Sequence, residues 1–232
     1  MTNTLLERTK CKTGIILETV FGTGFIANLR YNTLVNQKEV THMTTNKSKF
    51  TTRKIVFIAL MAALTCVGSM IRVTLPLDIA GTTSFHLGNI FCALSGILLG
   101  PWAGALAAGL GSAIYDMTNP LYISEAWITF LMKAAYGLAA GAVAFAGKKE
   151  GGYLKAVLSA FAGALTYAII YLAKSYFYGG LLIAGLTPDA AWVTVLGKVP
   201  ATIFNAVVAI IFAPILAKAI STALKTNPLN MA

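Results

Sequence analysis

From Ile55 onward the chain alternates long apolar runs with short polar or Gly/Pro breaks, and the runs cover residues 55–71, 85–99, 102–117, 127–145, 154–172 and 192–216. A helix needs about 20 apolar residues, at about 1.5 Å each, to cross the hydrocarbon of a bilayer. The pattern therefore predicts six membrane-spanning helices. The second run is short by that measure, which makes it a partial helix or one sheltered by its neighbours. Gly100-Pro101 divides runs two and three, and the pair predicts a tight helical hairpin because proline cannot supply a helical N–H.

The fold class read from this pattern is all-α: a polytopic bundle of six transmembrane helices. Small residues support close packing. Gly96 and Gly100, Gly100 and Gly104, and Gly137 and Gly141 stand one helical turn apart, and Ala105, Ala107, Ala108, Gly109, Gly111 and Ala113 crowd span three. Such faces let helices approach in lipid, where no hydrophobic force draws them together.

Residues 1–42 are different. They are mixed polar, and their one semi-apolar stretch, 13–29, is broken by Glu18, Gly22 and Gly24. It lacks the apolar core and small-residue cleavage site of a signal peptide. The expected organisation is a poorly ordered extension over 1–42, with Met43 as the natural start, then a basic cytoplasmic segment over 43–54. The membrane domain follows over 55–220, and a cytoplasmic tail over 221–232.

Composition excludes a water-soluble domain: 57% of the 232 residues are apolar, 11% are charged and the mean hydropathy is +0.73. The net charge is +10, with nine Lys/Arg against three Asp/Glu in residues 1–54. Cations beside a first span report a cytoplasmic loop at anionic lipid, so nucleic acid is not the implied partner. Lys47, Lys49, Arg53 and Lys54, then Lys148, Lys149 and Lys155, then Lys218 and Lys225 fall on one side of a six-span chain. The positive-inside rule makes that side the cytoplasm, with both termini there. The opposite face carries segments 72–84, 118–126 and 173–191, with Asp78, Glu125 and Asp189. Trp127 and Trp192 open spans at that outer interface.

Candidate chemistry lies in the outer half. Lys133, Lys174 and Lys198 are intramembrane cations, each costing about 2.5–3.5 kcal/mol on insertion scales, so each asks for a partner, a cavity or a ligand. Tyr167, Tyr171, Lys174 and Tyr178 fall at steps of 4, 3 and 4, so a continuous helix would carry them as one stripe. Lys198, Thr202 and Asn205 make a second stripe, and Glu125, Thr129, Lys133 and Tyr136 a third. Ser112 and Asp116 stand one turn apart near the outer end of span three, and Asp116 either pairs with a lysine or meets a ligand. His86 and Asn89 open span two. Of these, His86, Asn89, Asp116, Lys133, Tyr167, Tyr171, Lys174, Lys198 and Asn205, with Trp127, form the candidate substrate site, suited to a flat heteroaromatic ligand with a polar edge.

Three scattered cysteines and the separated His42 and His86 offer no metal set, and no cofactor is implied. The chain has no H-E-x-x-H, G-x-S-x-G or phosphate-loop motif and no second intramembrane carboxylate, which argues against an enzyme. Without a nucleotide site the chain cannot drive active transport by itself.

The basic start into Ala59-Leu-Met-Ala-Ala63, then Phe85-His-Leu-Gly-Asn89, Leu98-Leu-Gly-Pro-Trp-Ala-Gly104 and Gly-Ser-Ala-Ile-Tyr-Asp116 occur in a telling order. Trp127-Ile-Thr-Phe-Leu-Met-Lys133, Gly137-Leu-Ala-Ala-Gly141 and Lys198-Val-Pro-Ala-Thr-Ile-Phe-Asn205 extend it. Over about residues 47–220 the chain resembles the S component of an energy-coupling factor (ECF) transporter, of the riboflavin and hydroxymethylpyrimidine type. The resemblance implies a plasma-membrane subunit that captures a vitamin at the outer face. Its partners would be a transmembrane coupling subunit and two cytoplasmic ATPases. It also implies that Ala59 and Ala63 meet the coupling subunit, as two alanines one turn apart would allow. The rival reading is a stand-alone secondary transporter coupled to protons through Asp116 or Glu125, which should show inverted repeats.

Overall fold

The structure, a computed structural model, describes residues 52–76, 82–147 and 152–223. The expectations for 1–42, for most of the basic segment and for the end of the tail lie outside the described residues, as do Asp78, Lys148, Lys149 and Lys225. The described chain runs α1 (Thr52–Met70), β1 (Arg72–Pro76), β2 (Thr82–His86), α2 (Gly88–Leu99), α3 (Pro101–Thr118), α4 (Ala126–Ala144), α5 (Tyr153–Lys174) and α6 (Pro188–Ala223). A short 3₁₀ turn, Ile123–Glu125, leads into α4, and α5 continues as a wider π-type helix over Ser175–Ile183.

Four helical stretches are long and apolar enough to cross a membrane: Thr52–Met70, Ile123–Ala144, Tyr153–Ile183 and Pro188–Ala223. Helix α2 has 12 residues, about 18 Å of rise, and cannot cross about 30 Å of hydrocarbon alone. Its position resolves the difficulty. It packs against α1, α3, α4, α5 and α6, and Cys92, Ala93, Leu94, Leu98 and Leu99 are buried at its centre. A short apolar helix is tolerated because protein, not lipid, surrounds it.

Gly100 makes the turn between α2 and α3 possible. Its φ of 82° lies where a side chain would be strained, and Pro101 opens α3 directly after it. The two helices then meet α4 backbone to backbone. A Cβ on Gly137 would stand 2.5 Å from the Gly104 carbonyl oxygen, and one on Gly104 would stand 2.6 Å from Gly96 Cα. The small-residue steps in the sequence thus become a three-helix contact that no larger residue would permit.

Three sequence expectations change. The all-α class gains a two-stranded antiparallel hairpin, with Arg72 opposite His86 and Pro76 opposite Thr82. The β-branched Val73, Thr74, Thr82 and Thr83 favour extended backbone there. Span two therefore begins at Gly88, not Phe85. Most of the expected outer loop 173–191 is helical, leaving only 184–187 between the π-type turns and α6. Lys174 marked a boundary in the hydropathy pattern, but an ion pair satisfies its charge and the helix runs on.

Helices α1 to α6 alternate in direction. The end of α1, the start of α2, the end of α3, the start of α4, the end of α5 and the start of α6 gather at the hairpin. Polar side chains fill that end. The opposite end is apolar and includes Ile58, Met61, Leu98, Leu99, Ala213 and Ala217. The first and last described residues, Thr52 and Ala223, both lie at the end away from the hairpin.

Candidate functional site

A cavity of about 360 Å³ opens beneath the hairpin, walled by α3, α4, α5 and α6. Of the ten residues expected at a substrate site, Asp116, Lys133, Tyr167, Tyr171, Lys174, Lys198, Asn205 and His86 line it. Asn89 stands behind the wall. Trp127 is 60% exposed on the outer surface of α4 and does not reach the cavity, which leaves it the position of a belt residue.

Lys133 is buried to 3% exposure in the middle of this polar half. Its ammonium donates to the Asn89 side-chain oxygen and sits 3.8 Å from the centre of the Tyr167 ring. Tyr136, Tyr167 and Tyr171 form a ladder, with ring centres 5.8 and 5.6 Å apart and planes within 26° and 18°. An amide oxygen and an aromatic face make an ammonium tolerable away from water, and the cavity leaves part of its charge free to act. Asn89 therefore acts on the cavity through Lys133, which it orients.

Lys174 donates to Glu125 at 2.5 Å, the one ion pair between described residues. Lys198 makes a long contact, 3.5 Å, to the Ser175 hydroxyl. Asp116 is buried, with Thr129 beside it and Arg72 and Lys133 in electrostatic reach. The sequence left open whether it pairs with a lysine; no such pair forms among the described residues.

Asn205 lines the cavity and also holds the hairpin. It sits on the same face of α6 as Lys198 and Thr202, but its amide is occupied by the hairpin. The side-chain oxygen accepts from the His86 backbone N–H at 3.0 Å, and the side-chain nitrogen donates to the Ser84 carbonyl at 2.8 Å. Asn205 thus mimics a neighbouring strand along the free edge of β2. Phe85 adds an edge-to-face contact with Phe204, ring centres 4.9 Å apart. On the other side, Arg72 lies over the rings of Tyr115 and Tyr122, at 4.3 and 4.8 Å. The hairpin is held at both margins of the cavity it covers.

The tyrosine stripe is interrupted after Lys174. Tyr167, Tyr171 and Lys174 face the cavity, but the helix widens at Ser175, and Ser175, Gly179 and Ile183 take over the same wall in place of Tyr178. π-type turns shift the facing residues relative to an α-helix and often occur at functional sites. His86 contributes a ring whose Nδ1 is buried with no protein hydrogen-bond partner among the described residues. Burial first, then Lys133 and Arg72, hold this imidazole well below its usual range. It is neutral at pH 7 and retains an acceptor nitrogen.

Arg72, Tyr122, Thr83 and Ser84 line the cavity without having been singled out as site residues. Arg72 had a signal: it is the only arginine after Arg53 and stands at the outer end of span one, against the positive-inside trend.

Residues 49–222 match the family described as ECF-type riboflavin transporter, S component. The chain belongs to this family. It is the substrate-specific subunit of an ECF-type vitamin importer, a membrane protein that works with the subunits of an ECF module. A search of curated proteins returned no match. Membership in the S component family accords with a chain that has a ligand-sized cavity and no nucleotide-binding motif. Among the described residues no group of His, Cys, Asp and Glu could hold a metal ion.

Proposed function

We propose that the cavity binds an aromatic vitamin of the flavin class, taken from the outer face of the plasma membrane. The observation that carries this reading is Lys133: an ammonium buried on a tyrosine face, in protein rather than lipid, beside a cavity of about 360 Å³. The tyrosine ladder, Met132 and Ile183 supply apolar and aromatic surface. Lys133, Lys198, Asp116 and the serine and threonine hydroxyls supply partners for the polar edge of a ring system.

In this reading all six helices lie in the bilayer, with α2 sheltered by the other five. The described cations at the end away from the cavity are Arg53, Lys54, Lys155 and Lys218, so that end faces the cytoplasm and both termini lie there. A transmembrane coupling subunit and two cytoplasmic ATPases energise import, and hydrolysis reorients the loaded subunit. Ala59 and Ala63 are exposed on one face of α1 with Val56, Leu60 and Val67, a flat strip on which a helix of the coupling subunit can seat. The hairpin is the lid.

The test is uptake of labelled riboflavin by cells that lack their own riboflavin importer. Cells expressing the chain with an ECF coupling subunit and its ATPases accumulate the label; cells expressing the chain alone do not. Equal accumulation without the partners would contradict the reading and favour a proton-coupled carrier. In purified protein, Lys133→Ala and Lys198→Ala each weaken ligand binding about tenfold or more while membrane insertion is retained.

A further inference from the structure

Gly179 differs from the glycines that pack the bundle. A Cβ on Gly96, Gly104, Gly111 or Gly137 would come within 2.6 Å of a backbone atom of a neighbouring helix or turn, so close approach explains glycine at those positions. Gly180 is of the same kind, since its Cβ would stand 2.9 Å from Ala191 Cβ. At Gly179 a Cβ would meet only the Lys174 carbonyl oxygen, at 4.0 Å. Its backbone does not call for glycine either: the described glycines with positive φ are Gly100, Gly147 and Gly185. Glycine inside a helical run costs stability relative to alanine, and neither packing nor conformation accounts for that cost at 179.

The cavity does. Gly179 lies on its wall, between Ser175 and Ile183, which line it as well. A π-type turn closes from i to i+5, so residues four or five apart stand nearly above one another. The Ser175 hydroxyl fixes the direction of this face, because the Lys198 ammonium approaches it to 3.5 Å. An α-helix continued from Tyr167, Tyr171 and Lys174 would instead carry Tyr178 on the same wall. The wider turns move that phenol out of the lining, where its ring centre lies 5.6 Å from the Lys174 ammonium. A residue without a side chain takes the place of a tyrosine. The cavity, at about 360 Å³, is near the lower end of the about 300–1,000 Å³ of small-molecule pockets, so the room left by one side chain decides what fits.

We infer that Gly179 sets the size limit of the ligand: its bare backbone, brought to the wall by the π-type widening of α5, leaves space that the bound ligand fills. The widening and the glycine act together, one removing Tyr178 and the other adding nothing in its place. This inference rests on the cavity being the vitamin site and adds the residue that limits what the site admits.

The experiment titrates riboflavin into the purified full chain in detergent, comparing wild type with Gly179→Ala, Gly179→Leu and Gly180→Leu. The thermal midpoint of each protein without ligand is the second readout. Gly179→Leu is expected to bind riboflavin about tenfold or more weakly, as overpacking of a filled space requires, with Gly179→Ala between it and wild type. Both Gly179 variants should melt at or above the wild-type midpoint, whereas Gly180→Leu should melt lower. Riboflavin bound as tightly by Gly179→Leu as by wild type would show that the space is not used. A midpoint of Gly179→Leu lowered as far as that of Gly180→Leu, or failure of Gly179→Leu to fold, would make Gly179 a packing residue. Any of these outcomes overturns this inference and leaves the vitamin site standing. No saturable riboflavin binding to wild type overturns both.

Discussion

At the scale of single residues, the three lysines of the cavity behave as the cost of removing charge from water requires: each has found a different partner. Lys133 has Asn89 and Tyr167, Lys174 has Glu125, and Lys198 has a single long contact to Ser175. The sequence made the lysines, Asp116 and the tyrosines legible because charge inside an apolar run stands out at any register. It did not show that Asn89 and Asn205 hold other parts in place, since an amide's partner depends on tertiary packing. Asn205 gives the sharpest residue-level prediction. Asn205→Ala removes both hydrogen bonds to β2, each worth about 0.5–1.5 kcal/mol net, and frees one margin of the hairpin. Bound flavin is expected to dissociate about tenfold faster in stopped flow, with the helical content by circular dichroism unchanged. An unchanged off-rate would show that the hairpin does not govern ligand exit.

At the scale of elements, the apolar runs located all six helices, but several ends were displaced for physical reasons. Helix α5 passes Lys174 because Glu125 satisfies the ammonium. The chain extends into strands after Met70 because β-branched residues follow, and an apolar count cannot distinguish a strand that covers a cavity from the start of a span. The wider turns after Ser175 left no sequence mark beyond Gly179 and Gly180. The packing of α2, α3 and α4, in contrast, was legible in the glycine spacing. Gly137→Leu is expected to destabilise the protein, since overpacking costs about 1–3 kcal/mol and the opposing atoms here are backbone. Its thermal midpoint in detergent should fall by several degrees. Gly152→Ala, where a Cβ would meet nothing within 4 Å, should stay within about 0.5 kcal/mol of wild type. Equal midpoints for the two variants would remove the argument for close approach.

At the scale of the whole molecule, the polar half and the apolar half divide the tasks of capture and anchoring. The hairpin and the cavity occupy one end, and the described termini occupy the other. Charge bias along the chain argues for this sidedness on its own, whereas the cavity exists only where helix ends far apart in sequence meet beneath the hairpin. In a background without the three native cysteines, a cysteine at Leu121 is predicted to react with an impermeant maleimide added to intact cells, and one at Lys218 only after permeabilisation. The reverse pattern would invert the orientation.

The proposed capture of a vitamin depends on Lys133 serving a ligand. Its most direct test is an equilibrium titration of purified protein with riboflavin, comparing wild type with Lys133→Met. Saturable binding to one site per chain, weakened at least tenfold in the variant while both proteins remain folded and monodisperse, is the predicted result. Equal affinity in the two proteins, or no saturable binding to wild type, would contradict it.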